Sequence, residues 1–586
     1  MHYFQNAQGE FRPWHTMLMV AGFILVFALW FGTRVYTYHT YQRADNPSKH
    51  PMTEIYHDMA ISMDEGRPLG EVNISRIMRN KDAKSSEPYP ADPQPTDEYR
   101  QFQTLDPGYG VVFWAARHIF YFIPDTVQRP LMLQLFLDAV VLFALYFTFY
   151  RWGWFPAVTA GVLYSSNIIF AYGAATPWYH FWDGLICTVA LLRLLWLYRA
   201  ARSEDPSRLF LILSAIGIGV VLGAGVWIRS SWFVFSPILL FACLFSKTLR
   251  PWLIYAVLAY ALFAGGMVLR ATTLSGELSY STRMSWHTAF QGLGRHPNPY
   301  GFEDNDLYLF ARAHDTQGVD YNLGNYAAQD DAMKKDFLQL WEKDSGFVVQ
   351  SISQRIFSNI FFNFNDKQQS FWNQGMLFVA FAGLLFGVWL AGEFALMAIL
   401  SAIMFGAINS SYAFVYYITR EYAFATQMLL LFGAVTAVAG MVEVVRRLWA
   451  KEWLNFRDTQ LNPALVIMVA AAFGLLVIMM PPVQNYLAPN ETMSVKWDSP
   501  QGIEVMGLIG LQNQVDELPE KVRKELLSFM KSVTTKKTPG PDDTVFQFAM
   551  QHLRQVTFTN SDGKPGIFWI HQSTDKIGRA SCRGRG

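Results

Sequence analysis

Apolar residues in this chain fall in blocks, mostly of roughly 17–22 nearly uncharged positions, the length an α-helix needs to cross about 30 Å of hydrocarbon. The blocks run about 16–33, 110–124, 130–149, 155–174, 182–199, 208–228, 232–247, 251–269, 375–391, 394–409, 422–442 and 463–480. They predict a polytopic α-helical membrane protein of about twelve spans. Polar stretches at 34–109 and 270–374 interrupt them, and a tail begins at 481. The pattern divides the chain into a membrane domain over 1–480 and a small α/β domain over 481–576. The ending at 577–586, IGRASCRGRG, is unrelated to what precedes it and is set aside.

Lys and Arg near span ends set orientation, because basic loops stay in the cytoplasm. The basic connections are RAARSEDPSR (199–208), SKTLR (246–250) and VRRLWAKEW (445–453). Placing them inside puts both long loops and the tail outside. The alternation is consistent from Arg199 onward, but four crossings between 110 and 199 give the wrong parity. The expected culprit is 155–175, where Ser165-Ser166-Asn167 would break a helix and make a re-entrant piece. In the first loop, EIYHDMAISMDEG (54–66) reads as an amphipathic helix on the membrane face, followed by a Pro-rich connector at 80–99. In the tail, 517–532 reads as a helix, and 556–571 as a hairpin around Asp-Gly.

Composition narrows the class. The chain has 586 residues, of which 52% are hydrophobic and 16% charged, against about a quarter charged in soluble domains. A net charge of +1 gives no field for nucleic acid. Three cysteines, Cys187, Cys243 and Cys582, make neither a disulfide framework nor a metal-spaced set. The first apolar block has no small-residue cleavage site after it and reads as a retained span.

Polar groups at membrane depth are expensive, so they are functional candidates. The carboxylates after the first span are Asp45, Glu54, Asp58, Asp64 and Glu65, any one of which also suits a solvated helix face. TLDPGYG (104–110) puts Asp106 and Tyr109 at the mouth of a span, where a helix N-terminus alone would favour the acid. TPWYHFWDG (176–184) places His180 and Asp183 among tryptophans suited to the interface. Arg229 and Arg420 sit at external span ends, where an arginine binds phosphate bidentately or snorkels. Glu303, Asp304 and Asp306 concentrate oxygens, as a divalent cation or a solvated turn would need. Asp138, inside a span, has no evident partner.

In order and spacing these features resemble the GT-C membrane glycosyltransferases, within them the protein O-mannosyltransferases and lipid A aminoarabinose transferases. The residues are the helix pattern Tyr56, Ala60, Met63 and Gly66, the mouth Asp106-Pro107-Gly108-Tyr109, then Asp183, the Gly-rich span ending Gly223, Gly225 and Arg229, and finally Arg420 with Tyr422. The resemblance covers most of 16–445. It implies sugar transfer from a polyprenyl-phosphate donor on the external face, with the carboxylate after the first span as base, without metal or other cofactor. The family's base position falls on Met52 and Thr53 here, so the candidates are Glu54, Asp58 and Asp45. Asp106, Tyr109, His180, Asp183, Arg229, Arg420 and Tyr422 are then substrate-binding. The implied partners are the lipid bilayer, the lipid-linked sugar and a glycan, lipid or protein acceptor, at the periplasmic face of a bacterial inner membrane. A catalytically inactive relative serving as an assembly scaffold is the alternative. A secondary transporter is disfavoured because no internal repeat is evident.

Overall fold

A computed structural model describes residues 13–44, 51–79, 99–101, 106–275, 278, most of 285–319, 326–361, 367–415, 423–449, 553–559 and 565–571. Seven of the described helices are long and apolar enough to cross a membrane. They are α1 (Pro13–Ala44), α5 (Gln128–Tyr150), α8 (His180–Ala201), α9 (Arg208–Ile228), α11 (Leu253–Ser275), α16 (Gly392–Val415) and α17 (Phe424–Trp449). An eighth crossing comes from α6 (Trp154–Ser166) and α7 (Ile168–Ala175), bent by 59° at Asn167. Between and beside these lie α2 (Pro51–Asp64), α3 (Ile74–Arg79), α4 (Gly108–Ile119), α10 (Trp232–Cys243), α12 (Ser285–Gln291), α13 (Asp306–Gln317), α14 (Tyr326–Phe361) and α15 (Lys367–Leu390). The chain is an integral membrane protein.

Side-chain bonds fix how α8 and α16 run relative to each other. At one end of the bundle, Glu393 accepts from Trp152 Nε1 at 2.7 Å and Arg199 Nε at 2.5 Å. At the other end, Tyr412 and Arg229 both reach Asp183. So α8 and α16 run antiparallel. The first end collects the α5–α6, α8–α9 and α15–α16 turns with Arg151, Arg199, Arg202 and Arg208; it is the basic end. The second carries the candidate site.

The 155–175 segment breaks where the sequence predicts, but it is a crossing and not a re-entrant loop. Trp154 Nε1 bonds Leu18 O near the start of α1, and Thr176 O at the far side accepts from Gln134 Nε2. The carbonyl freed by the break, Ser165 O, accepts from Thr33 Oγ1 at 2.8 Å and Arg34 Nη1 at 2.9 Å. Asn167 caps α7 by accepting from Ile169 N–H, and donates to Gln427 Oε1. These bonds give polar groups at the break partners within the protein, which is what lipid demands.

Of the eleven expected blocks that fall on described residues, 110–124, 232–247 and 375–391 are not among these crossings; the one at issue for the parity before Arg199 is 110–124. Its helix, α4, has 12 residues, about 18 Å of rise, against the ~30 Å of the hydrocarbon core. It stays at the site end, with Gly108 against the backbone of Trp227 and Gly110 against Met59 of α2. A Cβ on Gly108 would stand 2.5 Å from the Trp227 carbonyl carbon, which leaves glycine the residue that fits. Removing α4 from the count restores the parity. α10 is also short, at 12 residues with Pro237 inside.

Asp138 now has partners. It is fully buried and accepts from Trp30 Nε1 at 2.5 Å, from Arg34 Nε at 2.8 Å and from the Tyr164 hydroxyl. Removing one member of such a pair strands a buried charge, at a cost of about 3–5 kcal/mol. Asp138→Asn should therefore lower the melting temperature sharply in detergent, and adding Arg34→Met should recover most of the loss. A double variant no more stable than Asp138→Asn would refute the pairing argument.

Outside the bundle, α2 lies over α4, and β1 (Glu71–Asn73) pairs antiparallel with β2 (Tyr99–Gln101), Val72 opposite Arg100. The second loop folds α12, α13 and α14 around Phe290, Leu309, Met333 and Phe337. In the tail, β3 (Leu553–Thr559) pairs antiparallel with β4 (Pro565–His571), as the hairpin reading expects. The 463–480 block, the 517–532 helix, Asp45, Glu303, Arg420 and Tyr422 lie outside the described residues.

Candidate functional site

The first turn of α8 and the last residues of α9 meet at the site end. Asp183, in the first turn of α8, is 4% exposed. It is ion-paired with Arg229 Nη1 and accepts from Trp232 Nε1 at 3.0 Å and the Tyr412 hydroxyl at 3.3 Å. Arg229 Nη1 also donates to His180 Nδ1 at 2.8 Å, so that nitrogen carries a lone pair. The guanidinium lies over the Tyr412 and Tyr179 rings, 4.8 and 5.5 Å from their centroids. Buried and bonded on several sides, the Asp183–Arg229 pair is preorganised.

The next residue, Ser230, ties in the mouth segment. Its backbone N–H donates to Asp106 Oδ2 at 2.7 Å. The other oxygen, Oδ1, is buried and takes no hydrogen bond from the described residues. Burial pushes the Asp106 carboxyl up to about 6, opposed by the Ser230 N–H and the charges of Arg229 and Arg270. A carboxylate with one fixed oxygen, one unengaged oxygen and this proton affinity suits a general base near neutral pH.

Tyr109 donates to Gln134 Oε1 at 2.7 Å, which links α4 to α5. Its ring meets Tyr56 edge-on at 4.8 Å and Phe113 at 5.0 Å, so α2 is glued to the mouth by aromatics. Glu54, in the first turn of α2, is buried. Asp58 is also buried, but there Oδ2 accepts the Asn73 N–H at 2.5 Å and Oδ1 sits 3.3 Å from Arg76 Nε. Arg76 in turn holds Glu65 at 2.7 Å. Asp58 thus fastens α2 to the β1–α3 corner.

Three residues that the sequence reading passed over join the cluster: Trp232, Tyr412 and Arg270. Arg270, near the site end of α11, donates to Leu69 O at 3.2 Å and Gln101 Oε1 at 3.3 Å. It carries the same signal as Arg229, an arginine ending an apolar span. Beside the cluster, a cavity of about 500 Å³ is lined by Gly108, Val112, Ala224, Trp227, Ile228 and Phe263. It is apolar, runs between α4, α9 and α11, and reaches Gly108, two residues from Asp106, and Ile228, next to Arg229.

Of the expected oxygen cluster, Asp304 sits 3.6 Å from Arg295, and Asp306 opens α13. Among the described residues, no three His, Cys, Asp or Glu are grouped to hold a metal ion.

No family model matches the sequence, and the search of curated proteins finds no match. Among solved structures, the chain is similar to the oligosaccharyltransferase AglB of Archaeoglobus fulgidus, solved with an inhibitory peptide and a dolichol-phosphate. Identity is 13% over 91% of this chain, with a TM-score of 0.40, and the chain spans 61% of the archaeal chain. It is also similar to ArnT of Cupriavidus metallidurans bound to undecaprenyl phosphate, at 10% identity over 92% of this chain and 75% of that one, with a TM-score of 0.41.

Proposed function

We propose that this chain transfers a sugar from a polyprenyl-phosphate-linked donor to an acceptor at the Asp106–Asp183 end of the bundle, which faces outward. The observation that carries this is an apolar cavity whose lining includes Ile228, the residue before Arg229, and Gly266, one turn before Arg270. An isoprenoid tail fits its lining, and a phosphate at its end meets Arg229 and Arg270. The acceptor heteroatom attacks the anomeric carbon as the bond from that carbon to the phosphate oxygen breaks. The acceptor proton passes to Asp106, and the polyprenyl phosphate leaves as an anion held by guanidinium groups. Asp183 and His180 hold Arg229 in place. Tyr109 orients the mouth, and Glu54 is the competing base. ArnT and AglB were solved with polyprenyl-type phosphates, which agrees with the donor class.

The test is direct. Purified protein in nanodiscs, given polyprenyl-phosphate sugars and candidate acceptors, should release free polyprenyl phosphate. Filling the cavity with Ala224→Phe should raise the KM for the lipid donor about tenfold, the scale of one lost apolar contact set, with kcat largely kept. Lipid binding without turnover, across all donors tried, would leave the inactive scaffold as the better reading.

A further inference from the structure

The external unit of the second loop buries a charge that the transfer site does not use. Arg355, on α14, is fully buried, and its Nη1 and Nη2 have no hydrogen-bond acceptor among the described residues. Its Nε makes a long 3.4 Å contact to Ser351 O one turn back. The guanidinium packs on Gly292 in the 292–294 turn, where any Cβ would collide with Nη1. His296, four residues on, is 4% exposed, and neither ring nitrogen has a partner among the described residues. Ser351 Oγ is buried in the same condition.

The charges around this point do not cancel. Arg295 and Asp304 face each other at 3.6 Å. Burial, with Arg295 and Arg355 nearby, drives His296 down to about 4, so it is neutral at pH 7. Burial lowers Arg355 to about 9, which still leaves it charged. Asp304 acts on Arg355 as well as on Arg295, so among the described residues two guanidinium groups share one carboxylate here. A buried fork such as Nη1 and Nη2 of Arg355 is normally completed by a hydrogen-bonding partner, and none lies among the described residues.

We propose that the junction of the 292–296 turn with α14 binds an oxyanion, a phosphate or carboxylate group, through the Arg355 fork, with His296 as a second donor. The planar guanidinium matches two oxygens of such a group. Entry is coupled to an outward shift of the 292–296 turn, since both nitrogens are enclosed. The site is separate from the Asp183–Arg229 cluster but mechanically close to it. Asn359, one turn beyond Arg355, donates to Asn409 O at 3.2 Å. Asn409 lies one turn before Tyr412, whose hydroxyl reaches Asp183.

The experiment uses the full chain in nanodiscs, with thermal unfolding and calorimetric titration of inorganic phosphate at constant ionic strength. Wild type should melt higher with phosphate. Arg355→Gln should weaken phosphate binding about tenfold or more, and Arg355→Lys should fall between, because the fork is lost. Without phosphate, Arg355→Gln should melt at or above wild type, since a stranded charge is gone; a purely structural arginine would do the opposite. An Arg355-dependent rise in phosphatidylglycerol but not phosphatidylcholine discs, with no added phosphate, would identify a lipid headgroup as the source. If Arg355→Gln fails to fold, His296→Ala carries the same comparison. Absence of any response in wild type, or an equal response in wild type and variants, overturns the proposal.

Discussion

Asp106→Asn should lower sugar transfer by about 10²–10⁴-fold, the range of a lost general base, while the protein stays folded. The base acts deprotonated, so kcat in the wild type should rise with pH and level off above about 6, where Asp106 titrates. The asparagine variant should show no such limb. Stability gives an independent sign. The folded carboxyl holds its proton more tightly than an ordinary aspartate, because burial disfavours its charged form. Its contribution is therefore present at low pH and lost as pH rises through about 6. At pH 8 the asparagine variant should then be at least as stable as wild type. Glu54→Gln is the companion measurement. If it abolishes transfer and the pH limb while Asp106→Asn keeps both, the proton goes to Glu54 and Asp106 only positions.

Arg229→Gln should lose transfer by about 10²–10³-fold, the cost of one preorganised charge-stabilising donor. It should also destabilise, because Asp183 is left buried without its cation, at about 3–5 kcal/mol. The two losses are separable. Arg229→Gln combined with Asp183→Asn should recover most of the stability and none of the transfer. Recovery of transfer in the double variant would show that Arg229 serves only to neutralise Asp183. Arg229→Lys keeps the charge but not the fork, so it should fall between wild type and glutamine in donor KM.

Much of the bundle is legible in hydropathy, because a span must be long and apolar. The helix break is legible too, since Ser165-Ser166-Asn167 interrupts an apolar run. The α4 segment misleads because hydropathy cannot tell lipid from protein: Val112 and Phe113 are apolar because they pack within the protein. Asp106, His180, Asp183 and Arg229 each stand out as polar residues at span ends. Their convergence does not, because the Ser230–Asp106 bond joins positions 124 residues apart. The role of Asp58 was also hidden, since Arg76 looks like any surface arginine until β1 turns it back toward α2. Asp138 had no account because its cation, Arg34, looks like an ordinary basic residue ending the first span.

That last pair has a consequence for how the protein is made. Arg34 emerges from the ribosome 104 residues before Asp138. At about 5–20 residues per second, α1 waits roughly 5–20 s in or beside the translocon carrying a cation near membrane depth. Alone, such a charge disfavours insertion by about 2.5–3.5 kcal/mol at a helix centre. The apolar run of α1 favours insertion by itself, but the partner of its buried cation arrives only with α5. Neutralising that cation within the membrane domain is thus a step that waits for the second helix to be made, and translation sets its timing.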